Sequence, residues 1–356
     1  MKRLNIVFST TVGHNIGDDF IRFGVRQLIP DWVEYNALYF NRGYQSQQVY
    51  NNAWTKHMEA MDLFLLAGTP ELIPKNDVFF RWCIDKRVPV MLVGVGTMLR
   101  AQQWAKNDQV ITGVQDTVFD GGGRKLLEHL ASICVLAIAR DQLMQDALLA
   151  LGYDCKLLPC PSLCSVDVGE LRGEQKRLGI CYRTVAPIDG LPAHYHLGTK
   201  DKSALLVEAT YNRFSGDSEW TPFVICHYLG DLLQAQRLFP KAEVLYSGEA
   251  RDYEAFYQRA DFVIGNRLHG ALIPAALGIP AIYIGSDSRI DAALQGGQVV
   301  LSDRGVASPD ELYEQVNVAL HSALSVWSKR LLAKKSETQR QYQELLETAF
   351  RRLGSE

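Results

Sequence analysis

At 356 residues, with 47% hydrophobic and 22% charged positions, the chain has a globular composition and is too long for one ordinary core, so two domains are expected. A formal net charge of −3 gives no electrostatic case for nucleic acid as the main partner, and leaves room for a local basic site that binds a small anion. Seven cysteines at irregular spacing are not a disulfide framework, no apolar run is long enough for a secretory leader or a membrane span, and a cytoplasmic location follows as the expectation.

Along the chain the pattern is strand, loop, helix, repeated, which predicts parallel sheets with helical crossovers. Leu4–Ser9 reads as a strand, and Asp18–Leu28 as a helix with Phe20, Ile21, Gly24, Val25 and Leu28 on one face. Leu63–Ala67 and Val88–Val95 are buried-strand runs. The pattern dissolves between Arg100 and Arg124, which predicts a mobile loop ending in Asp120-Gly-Gly-Gly. Ile133–Ala139 is a strand, and Asp141–Leu151 a helix closed by Gly152. Cys155, Cys160 and Cys164 lie close together but lack zinc-ligand spacing, so they read as buried thiols around the strand Lys156–Leu158.

A polar stretch over Asp167–Lys176 predicts a linker. Strands follow at Arg177–Tyr182, Pro222–His227, Ala242–Tyr246, Phe262–Ile264 and Ala281–Ile284, with helices between them. Ser308-Pro309-Asp310-Glu311 is a capping box with proline at the first helical position, opening a helical tail that runs to about Arg352. The expected organisation is an N-terminal Rossmann-like domain over 1–170, a C-terminal one over 171–310, and a helical extension over 311–356. Two such lobes would face a cleft, where α/β sheets bind ligands.

Two segments carry chemistry. After the first strand comes Thr10-Thr-Val-Gly-His-Asn-Ile-Gly-Asp-Asp, which matches neither a P-loop nor a dinucleotide fingerprint. Asp18 and Asp19 complement the helix dipole and would repel a phosphate there, so Asp18 suits a sugar hydroxyl instead, as base or orienter. His14 is its rival as base, and Asn15 and Asp18 are candidate caps of the helix. The second segment, Gly265-Asn-Arg-Leu-His-Gly-Ala-Leu-Ile-Pro, predicts a strand end, a tight turn and a helix starting near Gly270, with Pro274 in its first turn. Arg267, His269 and the helix N-terminus then converge without a carboxylate, which is an anion site. The opposing reading pairs Arg267 with Asp261 and buries His269 in the turn. His227 and Asp231, four apart, could orient one another or a substrate group. Gly285–Arg289 could lean into the same place, and Tyr182, His194, Tyr195 and His196 put aromatic faces, which suit sugar rings, near its mouth.

The Asn15–Asp18 turn, the Arg267–Gly270 turn with Ala275–Pro280, Ala139-Arg-Asp-Gln with Leu149–Gly152, and Cys226-His-Tyr-Leu-Gly-Asp resemble, in order and spacing, the polysaccharide pyruvyl transferases. The resemblance implies a GT-B-like α/β fold and phosphoenolpyruvate as donor, with ketal formation on a sugar hydroxyl pair. It places the donor on Arg267, Leu268, His269 and Gly270, with Arg183 as a further donor arginine; Arg289 is an alternative to Arg183 on the chemistry. His269 is the candidate acid, and His14, Asn15, Asp18 and His227 are candidate acceptor contacts. No cofactor and no metal is expected, since phosphoenolpyruvate is a co-substrate. A lipid-linked acceptor would bring the protein to a membrane surface. Two other readings stand beside this one: a glycosyltransferase using a nucleotide sugar, with Glu249 the nearest ribose contact, and a non-catalytic glycan-binding protein.

Overall fold

The computed structural model describes residues 3–10, 15–41, 52–69, 77–97, 121–167, 175–183, 202–216, 219–303 and 305–354. His14, His194, Tyr195, His196, most of the predicted 100–124 loop and most of the 167–176 linker lie outside them.

The chain forms two compact units, one of Met1–His14, Asp18–Ser165 and Ser336–Glu356, the other of Asn15–Gly17 and Val166–Lys335. The tail expected over 311–356 is therefore divided between the two. In unit 1 the strands are β1 (Leu4–Thr10), β2 (Tyr35–Asn41), β3 (Leu63–Thr69), β4 (Val90–Val95), β5 (Cys134–Ala139) and β6 (Cys155–Leu157). They pair in the order β2-β1-β3-β4-β5-β6, parallel throughout. The helices are α1 (Ile16–Leu28), α2 (Asn52–Glu59), α3 (Asp77–Lys86), α4 (Gly121–Ala131) and α5 (Gln142–Ala150). Every residue of β4 is buried, as a parallel strand covered on both faces requires.

Unit 2 repeats the plan with β7 (Arg177–Tyr182), β8 (Thr221–Cys226), β9 (Val244–Leu245), β10 (Phe262–Gly265), β11 (Ala281–Gly285) and β12 (Val299–Ser302). Their order, β12-β11-β10-β7-β8-β9, is the doubly wound arrangement in which the chain reverses direction across the sheet between β7 and β10. Its helices are α6 (Lys202–Gly216), α7 (Leu229–Leu238), α8 (Asp252–Gln258), α9 (His269–Ala276), α10 (Ile290–Gln295) and α11 (Pro309–Leu320). A final helix, α12 (Leu324–Leu353), begins in unit 2 and ends in unit 1. Among the described residues no helix is long and apolar enough to cross a membrane.

Local chemistry explains most boundaries. Asp141 caps α5 by accepting from the Met144 N–H at 2.9 Å, and Gly152 sits beyond it at φ +87°. Ser308 caps α11 through the Glu311 N–H at 3.2 Å, while the Glu311 carboxylate returns to the Ala307 N–H at 2.6 Å, one residue earlier than the usual reciprocal bond. Cys155, Cys160 and Cys164 are buried thiols.

Two expectations need correction. Gly121–Gly123 open α4 instead of ending a loop, because the apolar face of Leu126, Leu127 and Leu130 buries itself and outweighs the poor helix propensity of glycine. Pro274 lies in the second turn of α9, not the first. Gly270 through Ala276 are all buried, so packing sustains a helix that proline alone would interrupt.

Buried Gln298 fixes α9 to the sheet. Its amide donates to the Ala271 carbonyl at 3.0 Å and the Ile279 carbonyl at 3.1 Å, and its oxygen accepts from the Ala281 N–H at 2.9 Å. Gln298→Leu keeps the volume but orphans three backbone groups. It should cost about 3 kcal/mol of stability in chemical denaturation, whereas an exposed change such as Val318→Thr should cost under ~0.5 kcal/mol.

Candidate functional site

In an open α/β sheet ligands bind beyond the carboxyl ends of the strands where the strand order reverses. In unit 2 that place is set by the ends of β7 and β10, and three cations gather there. Arg183 follows β7, Arg267 follows β10, and Arg289 follows β11.

Their partners differ. Arg267 forms an ion pair with buried Asp231 in the first turn of α7, and its guanidinium lies 4.3 Å from the centre of the Tyr228 ring. Asp231 holds the Arg267 pKa above its ordinary value in spite of burial. Arg289 is clasped by Asp287 through two bonds, Nε to Oδ1 at 2.8 Å and Nη2 to Oδ2 at 2.5 Å, and the pair pulls the Asp287 pKa down. Among the described residues no carboxylate forms an ion pair with Arg183. Burial, and then the charges of Arg289 and Arg267, push its pKa down to about 10. Among the described residues the ion pairs of these three guanidiniums use two carboxylates, Asp231 and Asp287, and Asp287 also acts on Arg183 through its charge.

The Arg267–Asp231 pair replaces both earlier readings of these residues. Asp261, the alternative partner for Arg267, instead accepts the backbone N–H groups of Gln175 and Arg177, each at 2.9 Å. His227 and Asp231 do not orient each other. The His227 Nε2 meets the Tyr257 hydroxyl at 2.7 Å and the Cys181 sulfur at 3.7 Å, with the Tyr253 ring edge-on. Burial first, then Arg267 and His269, push the His227 pKa well down, so the ring is neutral. Tyr182 is likewise buried and donates to Glu208 at 2.9 Å.

His269 is the first residue of α9 and partly exposed, while Leu268 is buried with its carbonyl accepting from Ala271 and Leu272. Gly270 is required by close approach: a Cβ there would stand 2.3 Å from the Cys181 sulfur. Gly17, which belongs to unit 2, faces the His269 ring so closely that a Cβ would lie 2.0 Å from Nδ1. Asn15 accepts from the Gly17 N–H at 3.1 Å and so caps α1. Asp18 is the next residue and lies in the first turn of α1, partly exposed. Asp19 is buried and paired with Arg22 at 2.5 Å.

Sequence reasoning missed Asn266. Its side chain accepts the Arg183 N–H at 2.8 Å and donates to the Arg183 carbonyl at 3.1 Å. A polar residue between a buried strand and an arginine at the sheet's reversal was the available signal.

Over residues 15–288 the chain matches the family model described as polysaccharide pyruvyl transferase. The match covers well over half its length, and the chain belongs to that family of transferases. No curated protein matches the chain. Among solved structures it is similar to the Staphylococcus aureus MnaA co-structure with UDP, at 11% identity and a TM-score of 0.57, covering 95% of this chain and 91% of that one. It is also similar to a UDP-N-acetylglucosamine 2-epimerase from Neisseria meningitidis bound to UDP-GlcNAc, at 9% identity and 0.56, covering 98% and 100%. A third similar structure, from Listeria monocytogenes, is titled a UDP-N-acetylglucosamine 2-epimerase of putative assignment, at 11% identity and 0.55, covering 93% and 91%. At such identities the likeness establishes the fold, which is α/β of GT-B type.

The neutral His227 carries a pH signature. Between its low folded-state pKa and about 6.5 the unfolded chain binds the extra proton, so stability rises with pH across that window and is lost as pH falls below about 6.5. The melting temperature should fall on acidification from pH 6.5 to 5, and His227→Gln should flatten that slope. An unchanged slope would mean that His227 is not the group titrating.

Proposed function

We propose that this member of the polysaccharide pyruvyl transferase family moves the pyruvyl group of phosphoenolpyruvate onto two hydroxyls of a sugar in a glycan or glycan precursor, forming a ketal. The observation that supports the reading is the cluster of three arginines at the reversal of the unit 2 sheet, with Arg183 in no ion pair among the described residues. Phosphoenolpyruvate carries a phosphate and a carboxylate on the same carbon, and arginine forks suit both groups. Arg267 and Arg289 are each held rigidly by a carboxylate, which sets their direction before the donor arrives.

In the proposed reaction His269 delivers a proton to the methylene carbon, and the first hydroxyl oxygen bonds to the adjacent carbon as its proton passes to Asp18. His14 is the rival base. The second hydroxyl then bonds to the same carbon while the carbon–oxygen bond to phosphate breaks, and its proton passes to the departing phosphate, which leaves as inorganic phosphate. The bound phosphate favours the protonated form of His269, which is the form an acid needs. The arginines offset negative charge on the departing phosphate.

Calorimetric titration of phosphoenolpyruvate into the purified protein, followed by turnover with a sugar acceptor, tests the reading. Arg183→Ala is the informative binding variant, because it orphans no paired carboxylate. It should weaken phosphoenolpyruvate at least about tenfold, a typical worth for a charge-assisted contact. His269→Ala should lower kcat by roughly 10²-fold or more with binding retained, and Asp18→Asn should do the same. Binding of a UDP-sugar in place of phosphoenolpyruvate would overturn the proposal in favour of glycosyl transfer.

A further inference from the structure

The β7–β10 ladder runs in register from Phe262 opposite Leu178 to Gly265 opposite Cys181. Its last backbone contact is the Asn266 N–H to the Cys181 carbonyl at 3.3 Å. Beyond that point the two chains must separate, because this is where the sheet reverses. Arg183 therefore leaves β7 with no strand partner for its backbone, and the like charges of Arg289 and Arg267 push on its guanidinium.

The Asn266 side chain spans the gap. Its oxygen takes the Arg183 N–H at 2.8 Å and its amide gives to the Arg183 carbonyl at 3.1 Å, with a longer contact to the Ser203 hydroxyl at 3.4 Å. Asn266 and Ser203 are both buried. The two partners fix the amide orientation, since the flipped group would set donor against donor and acceptor against acceptor. A carboxamide is the shortest side chain that offers one acceptor and one donor in a fork of this kind.

We propose that Asn266 is a positioning residue for anion binding: its carboxamide extends the β7–β10 ladder by one side-chain pair and so holds Arg183 within the cationic cluster. The inference rests on the proposed donor site but names a residue that acts through another. Asparagine is needed and aspartate cannot replace it. An aspartate would face the Arg183 carbonyl with a second acceptor, and its negative charge would oppose the binding of an anion beside it.

Two measurements test it. Hydrogen exchange of the segment spanning 179–183 needs no ligand: in Asn266→Ala the Arg183 amide should exchange at least about tenfold faster, with the thermal midpoint reported alongside. Unchanged exchange would overturn the proposal whatever the donor proves to be. The second is a double-mutant cycle with inorganic phosphate and phosphoenolpyruvate as separate probes. Asn266→Ala and Arg183→Ala should each weaken both anions about tenfold, and the double variant should be no weaker than Arg183→Ala alone. Additive losses would show that Asn266 acts on the fold generally and not through Arg183. Asn266→Asp should bind both anions more weakly than Asn266→Ala, and the reverse order would overturn the charge argument. If phosphate binds and shows this coupling while phosphoenolpyruvate does not bind, the donor reading falls and the role of Asn266 stands.

Discussion

Three guanidiniums held at the reversal of one parallel sheet repel each other, and the surrounding structure is organised to hold them there. Asp231 restrains Arg267 and Asp287 restrains Arg289, each from an adjacent buried or nearly buried position. Arg183 is held through its backbone instead, which leaves its charge available. Burial first, and then the neighbouring charges of Arg289 and Arg267, depress the Arg183 pKa to about 10. The geometry of a doubly wound sheet makes the arrangement economical. Strand ends that diverge at the reversal expose short loops whose side chains share one side of the sheet.

Beneath the cations lies a layer that has nothing to do with charge delivery. His227, Tyr257, Cys181 and Tyr253 form a closed, buried network, with the Tyr257 hydroxyl 3.3 Å from the Cys181 sulfur and the Tyr253 hydroxyl donating to the Cys226 carbonyl at 2.6 Å. Cys181 also presses against Gly270, which holds the start of α9 close to β7. Burial raises the Cys181 thiol to about 12, so it stays protonated and serves as a small packing group. His227 and Cys181 of this layer are thus both uncharged, and their polar atoms are satisfied within it.

Much of this was legible from the sequence, for identifiable reasons. Buried parallel strands announce themselves as apolar runs, so β1, β3, β4, β5, β7, β8, β10 and β11 are legible, as are the edge strands β6 and β9, whereas β2 and β12, edge strands of mixed composition, are not. The Arg267–His269 turn was visible because two cationic side chains follow a strand end directly. The partner of Arg267 was not, because Asp231 is 36 positions away and only the fold brings it near. Local proximity pointed to Asp261, and that residue is occupied with the backbone at the start of β7. His227 looked like a binding group because histidine after a strand often is one, yet its neighbours are aromatic and its surroundings buried. Asn266 was passed over since an amide announces no charge, and its importance lies in reaching a backbone rather than a ligand.

Helix α12 spans the two units in sequence, and this has a consequence for biosynthesis. Unit 2 is complete when the chain has grown to Lys335, whose ammonium donates to the Ala276 carbonyl at 2.9 Å and also to Val166. Unit 1 still lacks Tyr342, Leu346 and Phe350, all fully buried, and the bond from the Tyr342 hydroxyl to the Pro159 carbonyl at 2.9 Å. The half of the protein that is translated first is therefore the half that finishes folding last. A ribosome that stalls or terminates between Lys335 and Phe350 would release a chain with one finished unit and one open core, a natural target for chaperones and proteases.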